Sequence, residues 1–218
     1  MHKAEDIPVH KPLPGRKRQA ARNDGIILDA ARAVFLADAG APIAAVAERA
    51  GVGISALYRR YPSKEALLRT LGNQGLCRYN AEAQAVLDAG DDARVLDAFL
   101  RRVVDADVHS LTVRLAGTFT PDESFAPEVQ RSAELNAEIL RRAKGSGGSG
   151  TVRDGVVIAD ISLILEACAA ISLPDSARTA QLRHRVLALL LDGLRSTGEL
   201  PGPAPGPEDF VARWQAGK

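Results

Sequence analysis

GVGISALYRRYPSKEALL, residues Gly51 to Leu68, concentrates two glycines, two arginines, two tyrosines and a proline within a chain otherwise rich in alanine and leucine. Gly51 stands where a helix needs a left-handed cap, and Gly51-Val52-Gly53 reads as a tight turn. The spacing predicts a short helix from Ile54 to Tyr61, stopped by Pro62, and a longer helix capped by Ser63. With Leu57 facing inward at about 100° per residue, Tyr61 falls on the same side and Ser55 and Arg59 point directly away. Ala56, Tyr58 and Arg60 take the flanks. A helix that enters a DNA major groove needs short side chains for close approach and a few long donors for base edges and phosphates. Ser55, Ala56, Arg59 and Arg60 supply that mixture, Tyr58 offers a hydroxyl at the rim, and Lys64 adds a charge beside backbone amides that favour anions. The competing reading is a solvated amphipathic helix whose arginines contact only water.

Working outward, Pro42 suits a first helical position, and Ile43, Val46, Ala47 and Ala50 form the inner face of a preceding short helix. An earlier helix starts near Asn23 or Asp24 and carries Ile27, Ala30, Ala31, Val34 and Phe35 on one side, ending at Gly40. Residues 1–22 read as a flexible basic arm, since Pro8, Pro12, Pro14 and Gly15 precede the cluster Arg16, Lys17, Arg18 and Arg22.

Towards the C-terminus, the helix after Ser63 continues to about Leu87, with Gly72 and Gly75 as places for a bend. Asp91 to Val108 repeats apolar residues at Val95, Leu96, Phe99, Leu100, Val103 and Val104, the pattern of an amphipathic helix. Further helices are expected at about Leu111–Gly117, Pro127–Lys144, Val156–Ile171 and Ser176–Ser196. That makes about nine, with no convincing strand, so the fold class is all-α. The helix at Val156–Ile171, which includes Ile164 and Cys168, is apolar on nearly every side. Leu182, Val186, Leu189, Leu190 and Leu194 make a wide stripe on the last helix, more than one small core requires, and so suggest a partner surface. Pro201 to Lys218 reads as a Pro/Gly-rich, loosely held tail.

Overall net charge is +1, but residues 1–68 hold 11 Lys and Arg against 7 Asp and Glu, while residues 69–218 hold 17 against 20. Only the N-terminal third attracts a polyanion. Cys77 and Cys168 are far apart, with no CxxC pair and no histidine cluster, which argues against a disulfide framework or structural zinc. The acidic residues and prolines of MHKAEDIPVHKPLPGRKRQ do not suit a signal peptide, and the expectation is a cytoplasmic protein that crosses no membrane.

IAAVAERAGVGISALYRRYPSKEALL, Ile43 to Leu68, resembles the helix-turn-helix signature of the TetR family of bacterial transcriptional regulators. Ala50-Gly51-Val52, Leu57-Tyr58, Tyr61 and Ser63-Lys64-Glu65 match it in order and spacing. The resemblance implies a DNA-binding domain over residues 23–68 and a helical effector-binding and dimerisation domain over residues 69–200. It also implies that Ser55, Ala56, Arg59 and Arg60 face bases or nearby phosphates, that Tyr58 and Lys64 hold the backbone, and that Tyr61 belongs to the small core. Arg16, Lys17 and Arg18 would reach a neighbouring groove or remain solvated. Two departures stand out: Pro42 replaces a hydroxyl residue common in the family, and Ala44 and Ile54 replace polar ones. In relatives the last two helices build a homodimer's four-helix bundle, and helices five to seven enclose an effector pocket. Candidates for its lining are Phe99, Arg102, His109, Arg114, Phe119, Phe125 and Asn136, although His109 reads more readily as a surface or satisfied histidine and Phe99 as plain core.

The expected function is therefore a homodimeric regulator, a repressor on a palindromic operator, that a small-molecule effector releases. A helical protein-interaction module without DNA binding is the alternative. No spaced set of nucleophile, base or metal ligands supports an enzyme, and no cofactor is implied. GSGGSG, residues 145–150, formally satisfies GxGxxG but follows a helix rather than a strand, and Thr151 stands where a P-loop needs lysine, so it reads as an interhelical loop.

Overall fold

The computed structural model describes residues 14–145, 152–196, 198–206 and 208–210, with side chains from Arg22 onward. Nine α-helices and two short 3-10 turns carry the described chain, with a further helical turn at 208–210 and no strand among these residues.

Helix α1 spans Pro14–Ala37, so it begins well before Asn23. A proline at the first helical position loses an N–H that has no partner there anyway. Pro14 therefore opens the helix instead of preventing it, and Arg16, Lys17 and Arg18 lie on helical backbone rather than in an extended arm. Residues 1–13 lie outside the described residues. Helix α2 (Ile43–Ala50) is preceded by an extended Pro42 at its cap, and Gly51 closes it in the left-handed conformation at φ 65°. Helix α3 (Ile54–Arg60) follows at once, and α4 (Lys64–Ala89) opens where Ser63 Oγ accepts the Ala66 amide at 3.0 Å. Phe35, Val46, Ala47, Leu57, Tyr61, Leu67 and Leu68 pack these four helices into one apolar cluster.

That cluster does not stop at the fourth helix. Leu111, Leu115, Phe119 and Phe125 belong to it too, so side chains expected in the C-terminal domain complete the N-terminal core.

The single helix expected from Asp91 to Val108 is divided. A 3-10 turn at Asp92–Arg94 leads into α5 (Val95–Asp105), and α6 (Val108–Leu115) starts after Asp107, the one non-glycine residue with positive φ (49°) among those described. Aspartate tolerates this conformation better than most L-residues, and Asp107 also gains ion-pair partners by adopting it. A second 3-10 turn (Glu123–Phe125) leads into α7 (Ala126–Lys144), followed by α8 (Ile158–Ala170) and α9 (Ser176–Arg195). Asn80 is buried between α4 and α7 and fully used: its amide donates to the Glu128 carbonyl at 2.9 Å and carboxylate at 2.8 Å, while Ser132 Oγ donates to its oxygen at 2.6 Å.

Helices α8 and α9 turn only part of their apolar surface outward. Ile164, Cys168 and Leu194, expected on a partner surface, are buried within the chain beside Ile161, Leu165, Leu187 and Leu191. Leu182, Val186 and Leu190 are partly buried, and Leu189 is 65% exposed. A helix apolar on every side does not reveal in sequence which side its own chain covers. Just before Pro201, Arg153 holds the Ser196 hydroxyl at 3.1 Å and the Gly198 carbonyl, and Pro201 to Pro205 line a crevice together with Val152 to Gly155. Residues 146–151, and Trp214 with the rest of 211–218, lie outside the described residues.

Candidate nucleic-acid interface and ligand cavity

Helix α3 has only seven residues, too few to be stable alone, and its position is set by burial on one side. Leu57 is fully buried and Tyr61 nearly so, which leaves Ser55, Tyr58, Arg59 and Arg60 exposed and Ala56 partly covered. Ser55 and Arg59 point into solvent, as the helical spacing predicts. The two arginines then differ. Arg60 grips Asp24 of α1 with a two-pronged contact, Nε to Oδ1 at 2.7 Å and Nη2 to Oδ2 at 2.5 Å, and these hydrogen bonds raise its pKa above the ordinary arginine value. Arg59 has no carboxylate partner among the described residues, so its charge is available.

Lys64 turns away from solvent. Its ammonium donates to the carbonyls of Ala39 at 3.1 Å and Ala41 at 2.7 Å, and lies 5.2 Å from the centre of the Phe35 ring. It ties the α1–α2 connection to the start of α4, a positioning role that spacing alone did not reveal.

Behind this face, α4, α6 and α7 enclose a cavity of about 310 Å³. Leu71, Leu111, Leu115, Phe119 and Phe125 supply much of its wall, with the Phe119 and Phe125 rings 6.0 Å apart. Of the expected lining residues, His109, Phe119, Phe125 and Asn136 are present. Phe99 lies in the core behind the wall, edge-on to Tyr79 at 5.3 Å. Arg102 is outside, paired with Glu82 at 2.6 Å, and Arg114 lines a separate crevice between α6 and the α8–α9 pair. Tyr79, Thr112, Ser132 and Ser162 also line the cavity and were not expected there. The available sequence signal was Gly72 and Gly75, three residues apart on α4 and both on the cavity wall. A Cβ on Gly72 would meet the Phe119 ring at 2.8 Å, whereas one on Gly75 would meet open space. These glycines make room for rings and void, and need not mark a bend.

The cavity reaches α6, a helix that packs against α1. Its wall residues His109, Thr112 and Leu115 lie on α6, directly after Asp107. The backbone carbonyl of Asp107 accepts from Arg32 of α1, and its carboxylate lies 3.5 Å from the same guanidinium and 2.6 Å from Arg183 of α9. Burial pushes the Arg32 pKa down, partly opposed by the Asp107 charge.

Residues 27–71 match the family model for bacterial regulatory proteins of the tetR family, and residues 91–196 match that for the C-terminal domain of SbtR-like transcriptional regulators. The chain belongs to the TetR family. Relatives of this TetR-family chain include the HTH-type transcriptional repressor LfrR of Mycolicibacterium smegmatis, 32% identical over 121 residues. That match covers 54% of this chain and 62% of LfrR, so the chain spans less than two thirds of the curated relative's length. Among solved structures, the TetR-like regulator LfrR from Mycobacterium smegmatis in complex with proflavine is similar at TM-score 0.61 and 27% identity, covering 83% of this chain and 99% of that one. A TetR regulatory protein from Mycobacterium vanbaalenii is similar at TM-score 0.56 and 29% identity, with 83% and 99% covered. A TetR regulator from Streptomyces coelicolor gives TM-score 0.57 and 26% identity, with 80% and 99% covered. No described helix of this TetR-family chain is long and apolar enough to cross a membrane.

Proposed function

We propose that the chain is a transcriptional repressor that binds a palindromic operator as a homodimer and leaves it when a small molecule fills the cavity. The observation that carries this reading is the outward face of α3, where Ser55, Tyr58 and Arg59, the last with no carboxylate partner among the described residues, stand clear of the buried Leu57 and Tyr61. Ser55, Ala56 and Arg59 meet the base edges and Tyr58 a phosphate. Arg60, held to Asp24, contributes its charge to the backbone without reaching far. Arg16, Lys17 and Arg18, on the opening turns of α1, bring further positive charge towards the duplex.

Leu163 of α8 and Leu189 of α9 are exposed large apolar side chains on adjacent helices, and a twofold copy of the same pair covers them. Two copies of α3 about 34–36 Å apart then read half-sites one helical turn apart. The DNA-binding unit occupies residues 23–68 and the effector and dimer unit residues 69–200. A ligand in the cavity presses on α6, whose preceding residue Asp107 joins α1 to α9. Displacing α6 therefore changes the spacing of the two reading heads, a coupling of about 1–3 kcal/mol in typical cases.

Selection of bound fragments from genomic DNA by the purified protein, repeated across ionic strengths, tests the proposal. A palindromic consensus whose affinity falls steeply with salt is expected. Absence of duplex binding even at low salt overturns it.

A further inference from the structure

The chemistry of the cavity wall selects among classes of effector, an inference that rests on the effector-site reading above. Seventeen residues line the cavity, and none is Asp, Glu, Lys or Arg among the described residues. Two ionisable groups face it, His109 and the phenol of Tyr79. Burial pushes the Tyr79 pKa well above its ordinary value, so the phenol stays neutral and donates to Asn136 Oδ1 at 2.9 Å. Asn136, itself on the cavity wall, keeps two amide N–H groups as donors beside that oxygen.

The remaining surface is apolar and partly aromatic, from Leu71, Leu76, Leu115, Phe119, Phe125 and Val129. At about 310 Å³ the volume lies at the small end of the range for ligand pockets, roughly 300–1,000 Å³. A cation entering such a space gives up its hydration and finds no carboxylate in return, and an anion finds no ammonium or guanidinium.

We infer that the cavity takes a neutral, flat, mainly apolar molecule of two or three fused rings, carrying one hydrogen-bond acceptor such as a ring nitrogen or carbonyl that meets the Asn136 amide. Cationic ligands of the same shape are excluded. This separates the chain from its relative crystallised with proflavine, whose diaminoacridine ring carries a proton near neutral pH.

The test uses a matched pair, acridine and proflavine, at pH 8, where the first is neutral and the second cationic. Both intercalate into DNA, so retention is measured by equilibrium dialysis against the full-length protein without duplex. The expected result is a preference for acridine of about tenfold or more, as the cost of burying an unpaired charge requires. Gly75→Leu fills the open space beside α4 and removes retention, while circular dichroism shows the helical fold intact. Asn136→Asp keeps the acceptor for Tyr79 but replaces the donor with a negative charge, and shifts the preference towards proflavine. Proflavine held as tightly as acridine by the natural protein overturns the inference. So does retention of neither compound by folded protein, retention unaffected by Gly75→Leu, or a preference unaltered by Asn136→Asp. Duplex binding by the same preparation is scored separately: its failure defeats the regulator reading alone, and failure of the ring pair defeats the ligand class alone.

Discussion

Arg183 of α9 donates through Nη1 to the carboxylate of Asp107 at 2.6 Å, and through Nε to the Ile171 carbonyl at 2.9 Å. Its side chain is mostly buried, and Arg32 of α1 meets Asp107 from the other side. One acidic residue thus links the first helix, the helix that walls the cavity and the last helix. The strained backbone conformation at Asp107 serves this convergence.

Replacing Asp107 with Asn keeps a residue that tolerates the left-handed region but deprives Arg183 and Arg32 of their anion. A loss of about 1–3 kcal/mol in unfolding free energy is expected, read by urea denaturation. Asp107→Ala costs about 1 kcal/mol more because alanine is strained at φ 49°. Equal stability of the Asp107→Asn and Asp107→Ala variants would show that the backbone conformation is unstrained.

Arg59 and Lys64 separate contact from support. Arg59→Ala is expected to leave stability within about 0.5 kcal/mol of the natural protein and to weaken operator binding by about 1–3 kcal/mol if the guanidinium reads a guanine. Lys64→Met loses the hydrogen bonds to Ala39 and Ala41 and is expected to lower stability by about 1 kcal/mol. It leaves the salt dependence of DNA binding unchanged. Thermal melts and salt titrations of both variants check the pair.

The two α4 glycines predict opposite effects. Gly75→Ala gains about 1 kcal/mol of helix propensity with nothing to displace. Gly72→Ala must move the buried Phe119 ring from 2.8 Å and loses that gain, so it is the less stable of the two in denaturant melts.

Leu189→Glu places a charge on the exposed apolar face of α9, where the natural side chain is 65% exposed. If the proposed dimer forms through this face, the natural protein sediments as a dimer and the variant as a folded monomer at the same concentration. An unchanged sedimentation coefficient places the interface elsewhere.

Glu138 on α7 accepts from Arg141 and Arg142, and these hydrogen bonds hold its carboxyl well below the ordinary value of 4.5, at about 2. A carboxylate whose pKa is lower folded than unfolded contributes stability above the unfolded value and loses it as pH falls through the folded one. Stability is therefore expected to decline as pH drops from about 4.5 to about 2, and Glu138→Gln flattens that part of the curve in equilibrium denaturation at stepped pH.

Local order was legible from residues 51–68 because capping and helical period act over a few neighbours: Gly51 in its left-handed cap, Leu57 and Tyr61 inward, Ser55 and Arg59 outward, Ser63 at the start of α4. The all-helical class and most helix limits followed from the same short-range rules. Pro14 misled because proline permits a helix start as readily as it forbids a helix interior.

Other features depended on partners distant in sequence. Asp107 breaks the helix expected through Val108 because Arg32 and Arg183 lie 75 and 76 residues away to receive it. Lys64 points inward because Ala39 and Ala41 leave carbonyls unfilled, and Arg60 is held where Arg59 is not because Asp24 lies on one side of α3 only. The cavity belongs to this second kind: Gly72, Gly75, His109, Phe119 and Asn136 become one wall only when α4, α6 and α7 close together. Helical period decides which way a side chain leaves its own helix, whereas burial and charge balance, summed over the whole chain, decide what it meets.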